Sequence, residues 1–261
     1  MLPVRSVAEL LRLNVSEFRQ LAGSKLPSAV GDMGPALAPI DGRTEVWASG
    51  VTYSRSRAAR VSESSTPDIY DSVYSAQRPE LFFKSVAWRV VSPGQQIGVR
   101  NDSSWNVPEP ELALVVNSRA EIIGYGICND MSSRSIEGEN PLYLPQAKVY
   151  ARSCAISRGF RPVWELDATD LEVRLRIERD GAVAFEGSTR TSEIVRPFSD
   201  LVSYLFRSQD FPDGAWISTG TGIVPPDGVS LVEGDFVEVA IDGLPTVRNR
   251  VTSVLGAGQG R

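Results

Sequence analysis

The sequence predicts a β-rich α+β fold, and three observations indicate it. Apolar residues alternate with polar ones from Val173 to Ile177, which is the period of a strand with one buried face. An Arg-Asp-Gly turn over 179–181 separates this strand from another over 182–186, as in a β-hairpin. Helical periodicity is clearest over 198–206, where the spacing indicates an amphipathic helix with a core face. Strands therefore dominate, with helices between them.

The first third of the chain alternates between short helices and strands. Apolar spacing predicts helices over 7–13, 54–63 and 69–76 and strands over 46–53 and 80–84. The charged helix over 54–63 is interpreted either as a solvated face or as a lid that carries polar groups over a cleft. Residues 24–42 are rich in proline, glycine and alanine, which is typical of a linker or arm.

The centre of the chain predicts a hairpin with acidic residues at its mouth. An apolar strand over 112–116, a turn over 117–120 and a return strand over 122–128 follow one another. Glu109 and Glu111 are one residue apart, so an extended chain places both carboxylates on one face. The return strand brings Asp130 back toward them.

Three carboxylates at one place favour a hard cation such as Mg²⁺, Mn²⁺ or Ca²⁺. The alternative interpretation is a polar strand entrance with solvated acids. Asp130 has an alternative of its own, because a helix predicted over 131–137 would make it an N-cap residue.

Toward the carboxyl terminus, the loop Ser218-Thr219-Gly220-Thr221-Gly222 lies between predicted strands. Its glycines allow close backbone approach, and its hydroxyls and N–H groups can hold a carboxylate. Two further strands are predicted over 234–241 and 245–254 and complete the β-rich pattern.

Composition restricts the class of protein. The net charge of −5 and the lack of a lysine- or arginine-rich stripe make nucleic acid an unexpected partner. No apolar run approaches membrane-spanning length, and the first eighteen residues are too polar for a secretory signal, so we expect no membrane partner and a cytoplasmic location. Cys128 and Cys154 are expected to be buried thiols, although they have the option of pairing.

The chain contains no histidine, which limits its chemistry more than any other count. Ser-His-Asp and Cys-His catalysis, imidazole zinc sites and histidine proton transfer are excluded. Acid–base chemistry must then come from carboxylates, lysine, tyrosine, cysteine or metal-bound water.

Longer motifs carry a family resemblance. EPELALV, GYGICNDMSSR and QAKVY resemble the metal-site core of the fumarylacetoacetate hydrolase family. GVTYSRSR, RPELFFK, NVPEPELALV, NDMSSRSIEGENPLYLPQAKVY and STGTGIVPP are similar to one branch, which includes 2-keto-3-deoxy-D-arabinonate dehydratases. The match extends from about Glu45 to Val251. It implies a mixed β-sandwich roll, a catalytic domain over 45–261 preceded by an arm or reduced domain over 1–44, and a homodimer or higher homo-oligomer.

The resemblance also implies a function, a magnesium-dependent dehydratase of a 2-keto-3-deoxy sugar acid. Such an enzyme would convert 2-keto-3-deoxy-D-arabinonate into 2-oxoglutarate semialdehyde in pentose catabolism. Related C–C hydrolases activate water with a His-Glu pair, and the absence of histidine favours elimination here. A metal-dependent hydrolase of acylpyruvates and a non-catalytic keto-acid-binding protein remain as alternatives.

The resemblance and the predicted hairpin together suggest roles for individual residues. The expected metal ligands are Glu109, Glu111 and Asp130, and Lys148 is expected to stabilise the developing oxyanion. Glu63 is the candidate acid for hydroxyl departure. Substrate contacts are expected from Lys84, Ser85, Gly220 and Thr221. For Lys84 and Lys148 the alternative interpretation is a lysine whose ammonium group lies at the surface.

Overall fold

The computed structural model describes residues 4–23, 37–63 and 67–254. Most of the predicted arm over 24–42 lies outside these residues. In the described part of the chain, fourteen strands and seven α-helices follow one another, which agrees with the predicted strand-rich α+β class. None of the described helices has the length and apolar character that a membrane span requires.

The strands, in chain order, are β1 (Glu45–Gly50), β2 (Glu80–Val86), β3 (Gln96–Arg100), β4 (Asn106–Val107), β5 (Pro110–Val116), β6 (Ile122–Asp130), β7 (Ser132–Ser133), β8 (Cys154–Ile156), β9 (Arg161–Pro162), β10 (Glu172–Arg179), β11 (Ala182–Arg190), β12 (Ala215–Ser218), β13 (Phe236–Ile241) and β14 (Val247–Val254). The helices are α1 (Val7–Leu10), α2 (Val15–Gly23), α3 (Ser54–Glu63), α4 (Pro67–Ser75), α5 (Arg134–Glu139), α6 (Leu144–Lys148) and α7 (Phe198–Leu205).

Two mixed sheets form the body of the molecule. Within the described residues, the larger sheet has the order β2-β1-β12-β5-β6-β8, with β9 also paired to β6, and the smaller has the order β11-β10-β13-β14-β3. One apolar cluster joins them: Leu112 and Ile127 of the larger sheet pack with Val173, Leu175 and Val239 of the smaller. Burying this surface stabilises the fold by roughly 25 cal/mol per Å² of apolar area.

The predicted hairpins are confirmed. β5 and β6 pair antiparallel from Pro110 with Asn129 to Val116 with Ile122. β10 and β11 are joined by Asp180 and Gly181, whose φ angles are 51° and 79°. Two positive φ angles are typical of a type I′ turn, whose twist matches that of the two strands. Both hairpins are local in sequence, so their turn residues fix the register.

The predicted helix over 198–206 is also confirmed as α7. Leu201, Val202 and Leu205 are buried, and they pack on Leu114 and Ile217 of the larger sheet. On the opposite face of that sheet, Val115 and Trp216 belong to the cluster that α1 and α2 cover. Because β5 is covered on both sides, its sequence is apolar without alternation.

Two parallel pairings join distant parts of the chain. β1 pairs parallel with β12, so that Ala48 lies opposite Ser218, and β14 pairs parallel with β3. The first of these pairings brings the end of β1 to the Gly-Thr loop that follows β12. A cleft opens there, beside the end of the β5–β6 hairpin that carries Asp130.

One element begins later than predicted. The sequence indicates a helix from residue 131, but Ser132 and Ser133 form β7, which pairs with β4, and the helix α5 starts at Arg134. Asp130 is therefore the last residue of β6, and Ser133 occupies the position before the helix. The interpretation of Asp130 as an N-cap is wrong, because pairing with a strand outside the local sequence overrides the helical pattern.

Candidate active site

A narrow cleft lies where β1, β5, α3, α5 and the loop after β12 meet. Its lining is mostly polar and charged, with Glu80, Glu109, Glu111, Arg60, Arg134 and Lys148 among the lining residues. A cleft with several buried ionisable groups is the expected place for chemistry in this fold.

Three carboxylates converge in the cleft, as the sequence predicts. Glu109 precedes β5, Glu111 lies within it and Asp130 ends β6; all three are almost fully buried. One oxygen from each lies within 4.8 Å of the others. The backbone N–H of Asp130 donates to the Glu109 carbonyl at 2.9 Å, which holds the two residues in register beyond the paired strands.

Cations surround Glu109. Lys148 Nζ lies 2.6 Å from its Oε2, while Arg134 and Arg60 donate to its Oε1 at 2.9 and 3.0 Å. Burial alone raises the pKa of Glu109, but the three cations outweigh burial and hold the pKa well below its usual range. Glu109 is therefore ionised.

Glu111 has a different environment. Its Oε2 accepts from the Ser218 hydroxyl at 2.5 Å and from the Gly220 N–H at 2.7 Å. Burial raises its pKa, and the nearby charges of Asp130 and Glu109 raise it further. Gly220 has a φ of 93° and an added Cβ would lie 2.0 Å from Thr52 Oγ1, so only glycine directs its N–H to this carboxylate.

Two buried lysines hold Asp130. Lys84 Nζ forms a close ion pair with Asp130 Oδ1 and donates to the carbonyls of Met131 and Lys148 at 2.9 and 2.6 Å. Lys148 Nζ lies 3.3 Å from Asp130 Oδ2. Lys84 is thus turned toward the protein, where it fixes Asp130, rather than lining the cleft.

Lys148 lies at the end of the short helix α6 and lines the cleft. Besides its carboxylates it contacts the Ser132 hydroxyl at 2.6 Å. Burial lowers the pKa of Lys148, but the carboxylates of Asp130 and Glu109 outweigh burial and raise the pKa above its ordinary value. The alternative of a surface lysine is wrong: both Lys84 and Lys148 are buried and paired.

The remaining predicted site residues have other surroundings. Thr221 lines the cleft, and its hydroxyl is 3.3 Å from the Ile223 carbonyl, to which it donates. The buried Ser85 donates to the Val86 carbonyl at 3.1 Å. Glu63 ends α3, but its side chain lies outside the described part of the structure, so its role stays a prediction.

Sequence reasoning missed Glu80. It begins β2, is partly buried and lines the cleft beside Gly50, where an added Cβ would lie 2.0 Å from Glu80 Oε2. Burial raises the pKa of Glu80; the charge of Glu137 adds to this, and Arg60 opposes it. The only signal in the sequence is its place at the start of the RPELFFK motif.

Arg60 and Glu137 were also missed as site residues. Arg60 projects from α3 into the cleft and forms a close ion pair with Glu137 of α5. The helix α3 has the bounds predicted from the sequence. Because its Arg60 side chain extends into the cleft, the lid interpretation describes this helix better than a solvated face. Val51, just before this helix, is buried in the cleft wall with a φ of 53°, a costly conformation for a β-branched residue.

Comparison with known proteins agrees with this geometry. The chain is 53% identical over 220 residues to a probable 2-keto-3-deoxyxylonate dehydratase of Haloferax volcanii, a match that covers 84% of this chain and 75% of that protein. It is 43% identical over 215 residues to a 2-dehydro-3-deoxy-D-arabinonate dehydratase of Saccharolobus solfataricus, which covers 80% of this chain and 72% of that protein.

A similar solved structure is a 2-keto-3-deoxy-D-arabinonate dehydratase complexed with magnesium and 2,5-dioxopentanoate. It is 37% identical, its TM-score is 0.85, and the match covers 98% of this chain and 91% of that chain. The family model described as fumarylacetoacetate (FAA) hydrolase C-terminal matches residues 45–252. The two sheets, the carboxylate triad and these matches together assign the chain to the fumarylacetoacetate hydrolase family.

Proposed function

We propose that the protein is a magnesium-dependent dehydratase that converts 2-keto-3-deoxy-D-arabinonate into 2,5-dioxopentanoate, also called 2-oxoglutarate semialdehyde. One observation carries the proposal: Glu109, Glu111 and Asp130 converge beside a charged Lys148. The surrounding fold is one in which relatives 53% and 43% identical to this chain bear dehydratase names.

The residues present fit a divalent cation. Glu111 is buried, its hydrogen-bond donors are a hydroxyl and a backbone N–H, and like charges raise its pKa. A dication between these oxygens would relieve that repulsion. Glu109, Glu111 and Asp130 would hold it, and when bound it would act as a Lewis acid on the 2-oxo group and make the C3 protons more acidic. Oxygen ligands also suit Mn²⁺ and Ca²⁺.

Lys148 supplies the fixed positive charge of the reaction. Its ammonium group stays protonated because Asp130 and Glu109 raise its pKa. As a base takes the C3 proton, the electron pair of the C3–H bond places negative charge on the C2 oxygen, and Lys148 stabilises that oxygen by donating a hydrogen bond. Ser132 and the two carboxylates occupy all three Nζ–H donors, so Lys148 must release one acceptor to reach the C2 oxygen, and the 3.3 Å contact with Asp130 is the longest of the three.

Glu80 is the proposed acid for hydroxyl departure, a role that the sequence assigns to Glu63. It lines the cleft and its raised pKa favours the protonated form. When the C4–O bond breaks, Glu80 gives its proton to the leaving hydroxyl, which departs as water. The C3–C4 double bond then rearranges through the C5 enol to the aldehyde, so that the net change is the loss of one water.

The decisive experiment is a turnover assay with magnesium present. The aldehyde product is coupled to an NADP-linked aldehyde dehydrogenase, and an acylpyruvate serves as the competing substrate. We expect aldehyde from 2-keto-3-deoxy-D-arabinonate and little acylpyruvate cleavage, because no histidine is available to activate water. Efficient acylpyruvate cleavage without aldehyde formation would instead favour the hydrolase, and binding of 2-oxo acids without any turnover would favour a binding protein.

The metal assignment has its own measurement. Glu111→Gln has the shape of the protonated glutamate, so the fold is expected to survive. The amide cannot ionise to bind the dication, so magnesium binding is expected to be lost. Isothermal titration with MgCl₂ gives the affinity, and circular dichroism checks the fold. Equal magnesium affinity in wild type and variant would contradict the assignment.

The proposal includes a cytoplasmic homo-oligomer. Cys128 and Cys154 are free and buried with their sulfurs 3.9 Å apart, which suits a reducing compartment. The homo-oligomer is proposed from the family resemblance, and the exposed apolar side chains of Trp88 and Leu142, at 79% and 84%, are candidates for burial in a subunit contact. Light scattering coupled to size-exclusion chromatography would give the mass of the assembly.

A further inference from the structure

The cleft contains donors for an anionic substrate, but most of them already serve the protein. Gly220 N–H donates to Glu111 at 2.7 Å, and the Thr221 hydroxyl donates to the Ile223 carbonyl. Lys84 Nζ is held by Asp130 and two backbone carbonyls. A 2-oxo acid brings a carboxylate into this cleft, so another positive group is required to receive it.

Arg60 has the geometry for this role. It lies on α3, lines the cleft, and its side chain is 11% exposed. Its two terminal nitrogens contact carboxylates on different elements: one lies 3.0 Å from Glu109 Oε1, and the other forms a close pair with Glu137. A guanidinium group that already spans two carboxylates has the planar fork that binds a third.

Glu109 carries more cationic contacts than a metal ligand can keep. Arg60 and Arg134 share its Oε1 at 3.0 and 2.9 Å, and Lys148 lies 2.6 Å from its Oε2. When Glu109 serves a dication, positive charge accumulates around it and the weakest-held neighbour must move.

That neighbour is Arg60. The side chains of Arg134 and Lys148 are 1% and 2% exposed on α5 and α6, which pack on each other and on the β4–β7 pair, whereas Arg60 is 11% exposed on α3. Its 3.0 Å contact is also the longest of the three. Glu137 remains beside it as the second carboxylate of its ion pair.

We propose that Arg60 is the residue that binds the carboxylate of the 2-oxo acid, and that it exchanges Glu109 for this carboxylate when the metal site is filled. The inference rests on the proposed function for the class of substrate. It explains why an arginine extends from α3 to a metal-ligand carboxylate, since the same guanidinium group has an anionic partner with and without substrate. It also predicts selection for 2-oxo acids over uncharged ketones.

The test uses the full chain and 2-oxopentanoate, which has the five-carbon 2-oxo acid skeleton without a hydroxyl to lose. Its affinity is measured by isothermal titration in saturating MgCl₂. Arg60→Gln is expected to weaken binding at least about tenfold, and Arg60→Lys to restore part of that loss. Arg55→Gln is the matched control, because Arg55 is exposed on the same helix and does not line the cleft; we expect no change.

Two further measurements separate substrate binding from a merely structural clamp. In turnover, Arg60→Gln is expected to raise KM for 2-keto-3-deoxy-D-arabinonate by more than it lowers kcat. Magnesium affinity without any 2-oxo acid should stay the same or increase, because a competing cation has been removed from Glu109. Loss of magnesium binding in Arg60→Gln would contradict the proposed exchange.

Glu137→Gln distinguishes the two roles of Arg60. If Arg60 only fastens α3 to Glu137, this variant weakens 2-oxopentanoate binding as Arg60→Gln does, and the proposal is overturned. If Arg60 receives the carboxylate, binding is equal or tighter, because a competing anion has been removed. Affinity of Arg60→Gln within about twofold of wild type would also overturn it.

Aldehyde formation tests the proposed function, and 2-oxopentanoate affinity tests the role of Arg60. Aldehyde formation together with wild-type affinity in Arg60→Gln leaves the dehydratase intact and refutes only the role of Arg60. Conversely, Arg60-dependent binding of 2-oxopentanoate without aldehyde formation supports the role of Arg60 and refutes the reaction.

Discussion

Two regions of this molecule are dense in ion pairs. Their N···O distances are similar, but their burial differs. On the outer face of the smaller sheet, Arg176 lies 2.8 Å from Glu178 and 2.8 Å from Glu186, while Arg248 lies 2.7 Å from Glu178. In the cleft, Lys148 and Arg134 lie 2.6 and 2.9 Å from Glu109.

Burial separates the two regions. The side chains of Arg176 and Arg248 are 43% and 41% exposed, so water screens their charges and replaces a lost partner. Lys148 and Arg134 are 2% and 1% exposed, so each charge there depends on its protein partners. Short ion pairs alone therefore do not identify a functional site; buried pairs around a surplus of carboxylates do.

The largest expected difference concerns stability. Glu109→Gln leaves Lys148, Arg134 and Arg60 around a neutral amide and is expected to lower the free energy of unfolding by about 3–5 kcal/mol. Its counterpart on the outer face is Glu178→Gln, which also removes a carboxylate from two arginines and should cost less than about 1 kcal/mol. Urea denaturation of both variants measures the difference. Equal losses would show that burial is not the deciding factor.

The next effect concerns the rate. Lys148→Met removes the donor proposed for the C2 oxygen and is expected to reduce kcat about a hundred- to a thousandfold. Magnesium affinity should change much less than kcat. Arg176→Met on the outer face removes an equally well-paired cation and should leave kcat unchanged. A Lys148→Met enzyme that keeps most of its kcat would show that this lysine only balances charge.

A smaller effect concerns pH. The pKa of Glu80 is raised, so its proton is retained above the ordinary glutamate range and lost as pH rises through the raised value. If protonated Glu80 is the acid, kcat/KM falls over that window. Glu80→Gln should lower kcat roughly a hundredfold and remove this limb of the pH profile. A limb that persists in the variant belongs to another group.

The smallest effect belongs to the outer face itself. Arg248→Met breaks contacts with Glu178 and Glu238, at 2.7 and 3.1 Å. The expected loss is below about 1 kcal/mol and should shrink further in 1 M NaCl, where the screening length is about 3 Å. Thermal denaturation at low and high salt measures it, and a larger loss that resists salt would contradict the assignment of this face as screened.

The comparison also explains how far the sequence predicts the site. The β5–β6 hairpin is local, so apolar runs and a turn are enough to bring Glu109, Glu111 and Asp130 together. The family expectation is confirmed for the same reason, because the diagnostic motifs lie on that hairpin and on the elements beside it.

Other site residues could not be predicted, because their partners are distant in sequence. Arg60 meets Glu109 across 49 positions, and the Ser218 hydroxyl meets Glu111 across 107. No periodicity encodes such contacts. Ser132 and Ser133 were expected in a helix for a related reason, since the strand with which they pair lies at 106–107.

The parallel pairing of β1 with β12 has a consequence for how the cleft is made. β12 lies between β1 and β5, so residues near 48 can join the rest of the larger sheet only after residues near 218 are in place. Contacts of such high sequence separation form against a large loop-closure entropy, and they slow folding. During synthesis, the central hairpin emerges with its acidic mouth long before Ser218 and Gly220 leave the ribosome. Glu111 consequently acquires its hydrogen-bond donors only near the end of translation, and the nascent chain has no assembled active site until then.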